Sequence, residues 1–103
     1  MSKRPPIWSF KKSENFIHAV RELKEKNRAL ALKLGQEMNK LAYSEYPNTL
    51  GEKKLTKYGE AYVMDIEKSG GLRLSYLLDF QQKIITIIRF GDHKDVYGKD
   101  KNA

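Results

Sequence analysis

The sequence predicts an α+β fold, and three patterns carry that prediction. From Glu14 to Tyr46, apolar residues recur at helical spacing. Three later segments, 60–67, 72–80 and 83–90, alternate or run apolar with strand character between turn residues. A short β-prone run, Ile7-Trp8-Ser9-Phe10, comes before the helices. The expected order is a short strand, a helical pair, then an antiparallel three-stranded meander with the helices packed on one sheet face.

Each element has a local reason. Pro5-Pro6 resists helix and suits the entry to a first or edge strand. Ser13 is a good N-cap for the helical region. Phe16, Val20 and Leu23 form one apolar stripe, and Leu30, Leu34, Met38, Leu41 and Ala42 form another. The polar Glu25-Lys26-Asn27-Arg28 lies between them and predicts a break or tight turn near Asn27, giving two antiparallel helices, with a single bent helix as the alternative. Pro47-Asn48 ends the helical region.

Residues 48–59 read as a loop anchored by Leu50 and Leu55, with Lys53, Lys54 and Lys57 outward. In Glu60–Glu67, Tyr62, Met64 and Ile66 share one face, and Val63, Asp65 and Glu67 share the other. Lys68-Ser69-Gly70-Gly71 predicts a hairpin turn. Leu72, Leu74, Tyr76, Leu78 and Phe80 then make an apolar wall for the helices, while Arg73 lies on the opposite face. Gln81-Gln82 is a second turn. The strand 83–90 is apolar on both faces, which predicts an interior place in the sheet and puts Arg89 on the face of Ile85 and Ile87.

The 103 residues suit a single domain over 1–103, with a short basic N-terminal tail and a polar C-terminal one. Net charge is +7, and Lys3, Arg4, Lys11 and Lys12 precede the first acid. Such a balance favours an anionic partner, either nucleic acid or an acidic protein. There is no cysteine, which fits a reducing cytoplasm. No apolar run reaches the roughly 20 residues of a membrane span, and no apolar segment follows the N-terminal charges as a secretory signal would require. With two histidines and no cysteine, no zinc set is expected. No P-loop or dinucleotide fingerprint occurs, and the expectation is no cofactor and no metal.

Arg73 has two readings. A guanidinium binds phosphate as a planar fork, or it pairs across strands with Asp65 or Glu67. Arg89 likewise suits phosphate, or pairing with Asp92 or Asp95. His93 and Tyr97 flank Lys94 in Gly-Asp-His-Lys-Asp-Val-Tyr. Histidine can move a proton near neutral pH, and tyrosine can stack on a base. Together they suit metal-independent RNA cleavage. There a ribose 2′-hydroxyl attacks the adjacent phosphate, and cations stabilise the charge that develops. His18 reads as a surface residue; Trp8, Phe10, Phe16, Tyr62, Met38 and Met64 read as core.

The stretch from Gly59 onward resembles the C-terminal half of RelE/ParE-superfamily toxins. The resemblance is carried by Arg73-Leu74-Ser75-Tyr76, by the apolar strand ending Arg89-Phe90-Gly91, and by His93-Lys94-Asp95-Val96-Tyr97. Its specific part is 59–98. It implies a RelE-like fold and the toxin of a type II toxin–antitoxin system, with a cognate antitoxin as partner. The implied activity is endonucleolytic cleavage of mRNA, usually on the ribosome, inhibiting translation in the cytoplasm. By resemblance Arg73 contacts the scissile phosphate, His93 is the acid or base, and Tyr97 orients the substrate. Arg89 and Lys94 are supporting cations by the same resemblance; apart from it, Lys54 and Lys57 of the lysine loop would supplement the field if Arg73 faces RNA. This chain departs from the family where a basic residue is common: the strand before Arg73 presents Val63, Asp65 and Glu67. The resemblance also admits a ParE-like gyrase inhibitor without nuclease activity, and an inactive antitoxin-binding member.

Overall fold

The computed structural model describes residues 4–57, 59–67 and 71–92. The expected turn over Lys68, Ser69 and Gly70 and the segment from His93 onward lie outside the described residues. The described residues fold as α+β, with two helices and a five-stranded mixed sheet among them. In chain order the elements are β1 (Ser9–Lys11), α1 (Glu14–Lys26), α2 (Arg28–Tyr43), a 3-10 turn (Pro47–Leu50), β2 (Glu52–Thr56), β3 (Gly59–Glu67), β4 (Leu72–Asp79) and β5 (Ile84–Gly91). Among the described residues no helix is long and apolar enough to cross a membrane.

The helices break where the sequence places the break. Ser13 caps α1, its hydroxyl accepting from the Phe16 amide at 3.1 Å. Asn27 serves both helices: its amide N–H donates to Leu23 O, and its side-chain oxygen accepts from the Leu30 amide at 3.1 Å. One residue thus satisfies an orphan carbonyl of α1 and an orphan amide of α2. The break lets Phe16 from α1 and Leu30, Leu34 and Leu41 from α2 reach the same core.

The sheet order is β1-β5-β4-β3-β2. Strands β2 to β5 form an antiparallel meander, and β1 adds parallel to β5. This corrects the expected three-stranded meander. Residues 48–59 are largely not loop: they supply the 3-10 turn and the edge strand β2. Leu50 and Leu55 do not anchor them. Both are exposed, Leu55 at 74%. Glu52 to Leu55 are exposed on both parities, so this edge strand carries no buried alternation, and Lys53 and Lys54 blunt it against pairing with another chain. β5 does have a neighbour on each side, which accounts for its apolar character.

The core lies between the helices and one sheet face. Met64, Ile66, Leu74, Tyr76, Ile85 and Ile87 meet Trp8, Phe16 and the α2 leucines there. Burying each large side chain of this set contributes about 1.5–3 kcal/mol. Phe80 falls beyond the end of β4, half exposed, its ring packed edge-on to Trp8 at 5.1 Å. Trp8 is pinned from the other side by its indole N–H, which donates to Ser44 O at 2.8 Å. The second turn is longer than Gln81-Gln82. It spans Phe80 to Lys83, with Asp79 Oδ1 accepting from both glutamine amides at 3.0 Å and Lys83 in the left-handed region at φ 60.

Tyr76 links the sheet centre to the 3-10 turn. Its hydroxyl donates to Pro47 O at 2.8 Å in a fully buried setting. Gly51 makes room for it, since a Cβ there would stand 2.6 Å from the Tyr76 hydroxyl and 3.0 Å from Val63 O. Burial, with the stacked Tyr62 adding, pushes the Tyr76 phenol well above its ordinary range. A phenol held neutral by the fold contributes stability that is complete below the ordinary value near 10 and is lost as pH rises through the elevated folded value. We therefore expect Tyr76→Phe to cost about 1–2 kcal/mol near neutral pH. Above pH 10 the wild-type urea midpoint should fall more steeply than that of the variant; parallel slopes would contradict this role.

Candidate functional site

Strand β4 separates two jobs by parity. Leu72, Leu74, Tyr76 and Leu78 face the helices, and Arg73, Ser75, Leu77 and Asp79 face away. What the opposite face carries next to Arg73 depends on the two neighbouring strands. Each of them has one residue too many.

On β5 the register shifts between Ser75 and Tyr76. Tyr76 pairs with Ile87, but Ser75 pairs with Arg89, leaving Ile88 as the extra residue. Simple alternation would put Arg89 with Ile85 and Ile87 on the helix side. The bulge moves it to the side of Ser75 and Arg73 instead, correcting that expectation. The Ser75 hydroxyl, fully buried, donates to Arg89 O at 3.3 Å and secures the register there.

On β3 the shift falls between Asp65 and Glu67. Asp65 pairs with Arg73, and Glu67 pairs with Leu72, so Ile66 is the extra residue. Ile66 remains in the core. Glu67 takes the parity of Leu72, on the helix side. The expected acidic pair beside Arg73 is therefore a single acid, Asp65.

Arg73 is held in two places. Its Nε lies 3.4 Å from Asp65 Oδ1, and its Nη1 donates to Gly71 O at 3.0 Å. Gly71 has φ +69, the left-handed region that favours glycine, immediately before β4. The Asp65 pair is the cross-strand ion pair foreseen as one reading of Arg73. Its side chains are 27% (Arg73) and 43% (Asp65) exposed. At that exposure the pair contributes only about 0–1 kcal/mol to stability. The weak pair therefore leaves the phosphate reading open, since it costs little to exchange.

The register makes Arg73 and Arg89 diagonal neighbours and leaves the lysines apart, while Arg89 also lines a pocket with Ser13, Asn15, Phe16 and Ala19. As diagonal neighbours on β4 and β5, the two arginines have Cα atoms about 7–8 Å apart. Lys54 pairs with Ala61 and shares the face, but it sits roughly 16 Å from Arg73, counting four residues along and two strands across. Lys54 also lies 3.7 Å from Glu52. Lys57 is in the β2–β3 turn, about 20 Å further along β3 than Asp65. His93, Lys94 and Tyr97 lie outside the described residues. His18 is exposed, as expected. Among the described residues no group of three His, Cys, Asp or Glu could hold a metal ion.

Sequence reasoning missed three contributors. The Gly71 carbonyl carries no side-chain signal. Glu52 joins the face only because β2 exists. Ile88 looks like any other apolar strand residue. No family model and no curated protein matches the chain. If Arg73 has a role other than packing, Arg73→Ala should cost less than about 1 kcal/mol in urea unfolding. A loss of 3 kcal/mol or more would make the residue structural.

Proposed function

We propose that this chain is a RelE-like toxin of a type II toxin–antitoxin system, a metal-independent endoribonuclease that cleaves mRNA in association with the ribosome. The observation that supports the reading is the register of Arg73 and Arg89, diagonal neighbours on β4 and β5. They lie at the end of β4 and β5 from which the chain continues to His93. Gly91, two residues before His93, is the register partner of Arg73. The element order β1-α1-α2 followed by an antiparallel meander agrees with the order the resemblance implies.

The chemistry assigns each group a task. The 2′-hydroxyl oxygen attacks phosphorus and the 5′ oxygen leaves. Arg73 and Arg89 stabilise the extra negative charge on the phosphorane. His93 transfers a proton at the attacking or leaving oxygen, Tyr97 stacks on the substrate, and Lys94 adds positive field. Lys54 and Lys57 stand too far away for the reacting phosphate and would meet flanking phosphates. An acidic antitoxin segment would cover the same arginines and neutralise them.

Primer extension on cellular mRNA after induction tests the reading. Discrete new ends are expected, reduced at least about 100-fold by Arg73→Ala and by Tyr97→Ala. Growth arrest with intact mRNA and a DNA-damage response would replace the nuclease with a gyrase inhibitor of the same fold. Harmless expression would leave an antitoxin-binding protein without activity.

A further inference from the structure

Arg73 already has an anion. Asp65 lies directly opposite it in register, with Nε and Oδ1 3.4 Å apart. The two holds on the guanidinium differ in kind. Gly71 O is backbone and stays unless the turn moves. Asp65 is a side chain and is the more exposed member, 43% against 27%. The carboxylate can therefore swing into water while Nη1 keeps its 3.0 Å bond to Gly71 O. A carboxylate and a phosphate offer a guanidinium the same ligand, two oxygens sharing negative charge. The bulge at Ile66 turns Glu67 to the other parity, so Asp65 is the one acid that β3 sets against Arg73.

We propose that Asp65 is an intramolecular stand-in for the phosphate, an affinity-setting residue that an incoming nucleic-acid phosphate displaces from Arg73. The identity of that phosphate as RNA rests on the reading above. Binding at Arg73 is then an exchange rather than an addition. Asp65 opposes it twice, first by occupying the guanidinium and afterwards as a like charge beside the bound phosphate.

The test uses the full chain and a single-stranded 2′-O-methyl RNA, which can bind but lacks the attacking hydroxyl. Fluorescence anisotropy at fixed salt gives the affinity. Asp65→Asn should tighten binding roughly two- to tenfold. Glu67→Gln removes the same charge from the other face and should change affinity much less. In an Arg73→Ala background most of the gain from Asp65→Asn should vanish. Unchanged or weaker binding by Asp65→Asn would overturn the proposal. So would an equal gain from Glu67→Gln, or a gain that survives whole without Arg73. Circular dichroism confirms that each variant is folded. Cleavage of the matching ribo-oligonucleotide on ribosomes is scored separately. Tightening without cleavage keeps the exchange and removes the nuclease. Arg73-dependent cleavage without tightening removes the exchange alone.

Discussion

The structure depends on the pleat of β4. Its alternate residues Leu74 and Tyr76 are fully buried under the helices, and Tyr76 also bonds to Pro47 O. A one-residue slip would take these side chains out of the core under the helices and turn Arg73 and Ser75 into it. β4 therefore keeps strict alternation through this region, and its neighbours absorb the mismatch. β5 does so at Ile88 and β3 at Ile66. Both irregularities flank Arg73 to Ser75. Bulges cost ladder hydrogen bonds, and they recur where a side chain must be re-aimed.

The consequence is electrostatic. Regular strands would have given Arg73 two acids and no cation at this end of the face. The bulged strands give it one acid, Asp65, and one cation, Arg89. That inversion makes phosphate binding reasonable where a simple alternation argued against it. It also explains why Asp65 matters. One exposed carboxylate against a half-buried arginine is an exchangeable partner, whereas two buried ones would form a structural cluster.

The helices were legible in the sequence because their patterns agreed: Ser13 marks the first start, the polar stretch near Asn27 marks the break, and the leucines of α2 share a stripe. β3 and β4 were legible from alternation. β2 was not, because an edge strand exposed along Glu52–Leu55 has no buried face to print a pattern. Arg89 was misassigned for a related reason. Ile84 to Ile88 are apolar on both parities, so nothing in that run signals an extra residue. Arg73 was placed on the correct face, and its ion pair with Asp65 was foreseen. The second arginine and the loss of Glu67 from that face required the pairing register.

Cross-strand nuclear Overhauser effects measure this register most directly. Backbone contacts of Ser75 with Arg89 and of Tyr76 with Ile87 are expected, with Ile88 lacking a cross-strand partner on β4. Contacts of Ser75 with Ile88 and of Leu74 with Arg89 would contradict it, because Arg89 would then sit on the helix side and Arg73 would stand alone against Asp65.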